Sequence, residues 1–529
     1  MKRLLEMILK PSNYLKIVVC VMLAATSQPL IVYAFSELSE FFTTSANIRM
    51  LILNILIVVI AIFMAYLADN IKMNITYTAE LELRKKIFAS IYNRSIKKFN
   101  VVDSGEYYNQ IGREVQFLQK HLYEAFINMI INIVTIIIIA ILMLKCHYMS
   151  FIVVALFLIP LILNNAIMPE KIAECEENSI GTLRAMVVKL KDVLSGFESA
   201  RFQEANIYIE SVMNEKFTDG NNAEKKIQKL SNVSALIANA SVTLSQFSGL
   251  FVAFYLVKTS QINLTQFILI FQLGMIINLP VVDLINSIIS IKSSRPYIEN
   301  ASNILQDTYK EKTADILENI EEINLKNITF AYNDRKIFDN FSYSFEKGKK
   351  YLIVGESGSG KTTLIKLILG MIKPLSGKIL YDRTDINNIT NNEIYHHCGL
   401  VPQQIHIFDD TIKRNINLNG QCSDDKLNEI IKKTKLTKFM DTNNYNLDSM
   451  ISDETIQVSG GEKARIAVAR MLALDKSVII YDEPLASLDS ENAKAIEELL
   501  LSDSEHIIIH IAHTSSKDLE NCYDDIIRI

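Results

Sequence analysis

A lysine inside a glycine-rich loop, two carboxylates ending an apolar run, and a serine before two glycines are the groups whose spacing can do chemistry here. The loop reads Gly355-Glu-Ser357-Gly358-Ser359-Gly360-Lys361-Thr362-Thr363 and fits the pattern Gly, four residues, Gly-Lys-Ser/Thr. A strand-like run, 351–354, precedes it and a helical run, 363–369, follows, which is the context a phosphate loop requires. Its glycines let backbone N–H groups close around phosphate oxygens, and the helix N-terminus adds positive potential. Lys361 is then placed to reach the β- and γ-phosphates, and the Thr362 hydroxyl to bind Mg²⁺. The carboxylates Asp482 and Glu483 close the apolar run 478–482. Opposite a phosphate loop, Asp482 can hold the metal, directly or through water, and Glu483 can polarise an attacking water. A glycine turn or a strand end at the surface would account for either motif alone. Both in this order point to nucleotide hydrolysis.

The third group is Val458-Ser459-Gly460-Gly461-Glu462, just before a helical run, 463–474. It resembles the signature of ABC ATPases, and the chain resembles the exporter type of ABC transporter over nearly its whole length. Several roles follow from that resemblance alone. Tyr332, in Phe-Ala-Tyr, is the expected aromatic that stacks on adenine. Gln403, in Val-Pro-Gln, is the expected glutamine that senses Mg²⁺ and faces the membrane domain. Ser487-Leu488-Asp489 matches the loop after the catalytic glutamate, and His513, in Ile-Ala-His, the histidine at the γ-phosphate. His513 is preferred to His510 because Ala-His directly follows the apolar strand. In this family the signature of one subunit closes over the nucleotide of the other. Ser459, Gly460 and Gly461 are therefore expected to act in trans, on ATP and Mg²⁺ held by a second copy. The chain departs from the pattern at Val458 and Glu462, where Leu and Gln are usual, at Ser452-Asp453-Glu454-Thr455, where Gly-Glu-Arg-Gly is common, and at Thr514. The serine and glycines that handle phosphate are intact.

The elements that must position these groups read as α/β, with apolar strands alternating with helical stretches and a largely parallel sheet, over residues 320–529. Before them, residues 301–319 read as a linker and 1–300 as a membrane domain. Six stretches reach the roughly 20 apolar residues a bilayer requires: 17–35, 48–68, 125–144, 150–167, 233–257 and 267–289. The stretch 17–35 lacks the small-residue cleavage pattern of a signal peptide and reads as a retained first helix. The two long connections, 69–124 and 168–232, are helical in composition and hold most of the basic residues, among them Lys72, Arg84, Lys120, Lys189 and Lys225. Positive residues stay on the cytoplasmic side. Both termini, both long loops and the ATPase domain are thus expected in the cytosol, with reversals near Gly105 and Gly196 meeting the ATPase domains.

The formal charge of -5 over 529 residues implies no nucleic-acid partner. The six cysteines sit in no close pair, so neither a zinc site nor a disulfide framework is expected. No domain precedes the first span, so no leader-cleaving protease is expected on this chain. Gln28, Asn54, Asn128, Asn132, Asn239, Gln246, Gln272 and Asn278 are uncharged polar positions within spans, and Asp283 is the main charged one. They can glue helices together or line a cavity for an amphipathic peptide, lipid or drug. The reading is an ATP-driven exporter in a bacterial plasma membrane, active as a homodimer. An importer on the same fold and an ATP-gated channel are the alternatives, and the intact Glu483 disfavours the channel.

Overall fold

The computed structural model describes residues 2–529 except 44–47, 101, 103, 307–316, 318, 334, 357, 453–457, 475, 484–489, 502–504 and 513–519. Contacts divide the chain into two compact units, Met1–Asn93 with Asp103–Thr308, and Arg94–Val102 with Tyr309–Ile529.

In the first unit, long runs of Ile, Leu and Val have no alternative to the helix, because lipid offers no partner for backbone N–H and C=O groups. Six helical spans are long and apolar enough to cross a membrane: Pro11–Glu37, Ile48–Tyr92, Gly105–Cys146, Tyr148–Ser195, Asn206–Lys258 and Leu264–Ser293. Three of the helices, Ile48–Tyr92, Tyr148–Ser195 and Asn206–Lys258, hold 45, 48 and 53 residues. At 1.5 Å per residue they are roughly 70–80 Å long, over twice the thickness of the hydrocarbon core. The long connections are therefore helical continuations of the spans, as their composition predicts. Burial is inverted relative to a water-soluble bundle: Leu53, Val59, Ile60, Ile62 and Phe63 are all exposed on one helix. The internal core is built from Val32, Ile139, Met143, Val154, Leu161, Leu273 and Val281. The sixth span breaks at Ile277 and resumes as Asn278–Ser293. Pro280 then lies in a first turn, where its missing N–H costs nothing.

One reversal differs from the sequence reading. Gly105 lies inside the helix Ser104–Asn109, and the chain turns earlier, at the short helix Ile96–Phe99, whose first N–H groups are capped by Ser95. That segment belongs to the second unit, where Ser95 and Lys97 line a cavity of about 290 Å³ with Met371, Lys373 and Tyr395. A glycine is not needed there because a serine cap ends one helix and begins the next. Gly196 does mark a break, closing Tyr148–Ser195 before the short helix Phe197–Phe202.

The second unit has two main sheets. The strands are β1 (Glu322–Tyr332), β2 (Arg335–Glu346), β3 (Lys350–Val354), β4 (Ser376–Tyr381), β5 (Thr384–Asp385), β6 (Cys398–Val401), β7 (Asp410–Thr411), β8 (Met450–Ile451), β9 (Val478–Asp482), β10 (Ile507–Ala512) and β11 (Asp525–Arg528). Five form a parallel sheet in the order β11-β3-β10-β9-β6, and four an antiparallel sheet in the order β2-β1-β4-β5. β3, β9 and β10 are largely apolar and buried on both faces, as in Ile507–Ile509, whereas the edge strand β11 exposes Asp525 and Arg528. β1 instead buries Ile323, Leu325, Ile328 and Phe330 and exposes residues between them. That half-buried pattern belongs to an antiparallel sheet, a second layer that the expectation of one largely parallel sheet did not include. A helical lobe packs Ile416, Leu427, Ile430, Leu436 and Ile466 together. The buried Arg470 ties it inward, donating to the carbonyls of Asn415 (2.6 Å) and His406 (2.8 Å).

Candidate nucleotide site

β3 ends at Val354 and the chain enters the glycine loop. Gly360 has φ +115°, and a Cβ there would stand 2.6 Å from Ile337 Cγ2. Only glycine fits that combination of left-handed backbone and close approach. The helix Lys361–Ile368 starts immediately after it, aiming its free N–H groups at the loop. Lys361 is 5% exposed. Its Nζ donates to the carbonyls of Gly355 at 2.6 Å and Glu356 at 3.1 Å, so the ammonium is held in the loop. Ser359 Oγ is buried with no hydrogen-bond partner, an orphan that a phosphate oxygen would satisfy.

Strand register brings the carboxylates to the same place. β10 lies between β3 and β9, with Ala512 opposite Val354 and Ile511 opposite Asp482. Asp482 therefore ends its strand beside the point where the phosphate loop leaves its own. Asp482, Glu483, Gln403, Thr362, Lys361 and Tyr332 all line one cavity of about 440 Å³. Burial, followed by the nearby Glu483, raises the Asp482 carboxyl above its usual range, and Lys361 and Lys366 act in the opposite direction. A divalent cation would reverse that balance. Glu483 has φ +52° and hangs its N–H on the carbonyl of Ile511 at 3.2 Å. A non-glycine residue in that region is strained, as residues at functional sites often are. Gln403 Nε2 donates to Glu483 Oε2 at 2.9 Å, which fixes the carboxylate.

Tyr332 stands at the cavity mouth, 46% exposed, braced edge-on by Phe330 at 4.9 Å. Two lining residues, Arg335 and Ile337, were not singled out from sequence. Arg335 pairs with Tyr332 across the β1–β2 hairpin and donates from Nη2 to the carbonyl of Gly358 at 3.3 Å. The sequence signal for it is the turn-favouring pair Asn333-Asp334 directly after Tyr332. Gly358, Gly360 and Thr363 line the same cavity, and Gly355 opens the loop. Ser357, His513 and Ser487-Leu488-Asp489 lie outside the described residues.

The signature is elsewhere. Ser459 precedes the helix Gly460–Leu474 and forms a reciprocal cap with Glu462: Ser459 N–H donates to Glu462 Oε2 at 2.7 Å, and Glu462 N–H to Ser459 Oγ at 3.4 Å. Ser459, Gly460 and Gly461 are not among the residues lining this chain's nucleotide cavity, and Ser459 and Gly460 are exposed. Taken together, the orphan Ser359 hydroxyl, the inward Lys361 and the glycine cradle fit a nucleotide triphosphate. Thr362, Gln403 and Asp482, which line the same cavity, fit the magnesium ion that accompanies it.

Six membrane-crossing helices joined to a phosphate-loop ATPase with a serine-glycine-glycine signature define a half-transporter of exporter architecture. The chain belongs to the ABC transporter family: the family model for the ABC transporter transmembrane region matches residues 14–281, and that for ABC transporter matches residues 338–486. The mitochondrial iron-sulfur clusters transporter ATM1 of Debaryomyces hansenii is 30% identical over 339 residues, 61% of this chain and 48% of that protein. The ATP-dependent lipid A-core flippase of Pasteurella multocida is 35% identical over 221 residues, 40% of this chain and 37% of that protein. The chain thus spans about half or less of the curated relatives it matches. A bacterial Atm1-family ABC exporter solved with ATP bound shares the fold, with a TM-score of 0.79, 20% identity, and coverage of 97% of this chain and 92% of that one.

Proposed function

We propose that the protein is an ATP-hydrolysing exporter of a bacterial plasma membrane that works as a dimer of two such chains. The carrying observation is the convergence of Lys361, Thr362, Gln403, Asp482 and Glu483 on a single cavity. In this reading Lys361 and the loop N–H groups hold the phosphates, and Tyr332 stacks on the base. Thr362 and Asp482, with Gln403, hold Mg²⁺, which neutralises charge on the phosphate oxygens when bound. Glu483, held by Gln403, orients a water and accepts its proton as the oxygen attacks the γ-phosphorus and the bond to ADP breaks. Catalysis is then mostly positioning and charge.

The dimer reading is supported by two surfaces. Ser459 and Gly460 are exposed on a helix N-terminus, where a second chain's γ-phosphate can meet them. At the Gly196 reversal Phe197, Phe202, Ile207 and Tyr208 are exposed, Phe202 by 89%. That apolar tip suits docking on a second copy's ATPase unit. Both termini and the ATPase unit are cytoplasmic in this reading, with the basic long connections. The cargo is an amphipathic peptide, a lipid or a hydrophobic compound.

The test is Mg²⁺-ATPase turnover of the purified protein in lipid, wild type against Glu483→Gln. Loss of turnover with retained ATP binding supports the reading. Unchanged turnover in the variant removes it.

A further inference from the structure

Leu317 is the first described residue after the helix Arg295–Gln306, and two side chains fasten it within the ATPase unit. Its own side chain is buried and packs in the same core as Ile320 and Ile323, so its backbone is a fixed post. The Leu317 N–H donates to Glu393 Oε1 at 3.0 Å, and its carbonyl oxygen lies 2.9 Å from His397 Nε2. That nitrogen therefore carries the ring proton, which leaves Nδ1 to accept from Ser477 Oγ at 3.5 Å. Glu393 and His397 stand four residues apart on the helix Asn391–His397 and so share one face. One helix thus holds both backbone polar groups of Leu317, from its first turn and from its last.

That helix leads straight to the nucleotide cavity. Its C-cap, Cys398, is also the first residue of β6, so no loop separates helix from strand. β6 is an edge strand of four residues, paired with β9 from Cys398↔Val478 to Val401↔Tyr481. Gln403 stands two residues beyond β6 and Glu483 directly beyond β9, joined by the 2.9 Å hydrogen bond that fixes the Glu483 carboxylate. The starts of the same two strands meet at His397, which precedes β6, and Ser477, which precedes β9. Lys476 supports that junction, donating from Nζ to the carbonyls of Tyr395 at 2.9 Å and His396 at 2.6 Å. An edge strand has a neighbour on one side alone. What holds the first residue of so short a strand therefore sets where its last residue stands.

We propose that Glu393 and His397 are positioning residues for ATP hydrolysis. They fasten the helix Asn391–His397 to the post at Leu317 and so set the register at which β6 presents Gln403 to Glu483. Neither is among the residues lining the nucleotide cavity, so they act through Gln403 and not on the nucleotide. The inference rests on the reading of Glu483 as the group that orients the attacking water, and adds the groups that keep its partner in place.

The test is Mg²⁺-ATPase turnover of the full-length protein in proteoliposomes, expressed per bound nucleotide so that a partly folded preparation does not mimic a slow one. His397→Leu and Glu393→Leu each lower kcat about tenfold, the loss of one hydrogen bond's worth of positioning, with the ATP KM within about twofold of wild type. The conservative variants recover kcat to within about threefold: the amide of His397→Gln donates to the Leu317 carbonyl, and that of Glu393→Gln accepts from the Leu317 N–H. In a Gln403→Ala background, where the positioned group is absent, His397→Leu lowers the residual kcat by less than about twofold. A clamp that only stabilises the fold gives the same loss in both backgrounds, or a raised KM at unchanged kcat. Either result, or an unchanged kcat in both leucine variants, overturns the proposal. Should His397→Leu not fold, Glu393→Leu against Glu393→Gln in the two backgrounds carries the same comparison. Those outcomes leave Glu483-dependent turnover standing, whereas turnover insensitive to Glu483→Gln removes the hydrolysis reading and this proposal with it.

Discussion

The half-buried Asp482 and the buried His510 show what single groups contribute to this molecule. The Asp482 carboxyl is raised by burial first and by Glu483 second. The folded state therefore binds that proton more tightly than the unfolded chain, and stability is lost as pH rises through the raised value. At neutral pH the ionised carboxylate is a strain on the nucleotide-free fold. Asp482→Asn is expected to raise the thermal midpoint of the nucleotide-free protein while abolishing Mg²⁺-dependent ATP hydrolysis; calorimetry with and without Mg-ATP checks both. His510 behaves oppositely. It is buried in β10, its Nδ1 2.5 Å from Tyr523 Oη, which donates to Glu497 Oε1 at 2.7 Å. Burial lowers its pKa from 6.5 to about 4. The unfolded state then binds more protons, so stability is intact above about 6.5 and falls as pH drops toward about 4, by up to about 3 kcal/mol. Denaturant titrations of wild type and His510→Gln between pH 7 and 4 are expected to differ in slope over that window. The burial of His510 fits a structural role, which sequence type alone does not disclose; His513 lies outside the described residues.

Among the elements, the loop-to-helix junction is the most sharply specified. Gly360→Ala adds a methyl 2.6 Å from Ile337 Cγ2 at a φ of +115°. It is expected to weaken ATP binding more than tenfold, about 1.4 kcal/mol or more, in a nucleotide-displacement assay. The phosphate loop, β9 and the helix after the signature were legible from sequence because each joins a motif to an apolar run of one period. The β2 and β4 strands were not. β2, Arg335–Glu346, mixes Lys336, Asp339 and Asn340 with Phe338 and Phe345 and bulges against β1, so no clean period survives. The reversal at 93–103 was misplaced for a related reason. Its signal is a Ser95 cap rather than a glycine. Arg335 was missed because its place at the nucleotide cavity comes from pairing with Tyr332 across a turn, not from its residue type.

For the whole molecule, the six spans were readable because membrane helices need only length and apolarity. The lengths of the helical continuations needed coordinates, since a helical composition does not show where each helix ends. The dimer reading makes its own prediction. Replacing Phe202 and Ile207, exposed by 89% and 85%, with serine removes the apolar tip without touching this chain's nucleotide cavity. ATP binding is expected to persist while cargo-stimulated turnover falls, as measured by nucleotide titration and ATPase assay on the same preparation.

The central claim is that hydrolysis at Glu483 drives uphill movement. Inside-out membrane vesicles carrying wild type or Glu483→Gln, offered labelled peptide, lipid and hydrophobic compounds with Mg-ATP, test it most directly. The account predicts accumulation of one cargo class above its outside concentration by the wild type, and none by the variant. Movement that runs only down its gradient, or accumulation that survives Glu483→Gln, would contradict it.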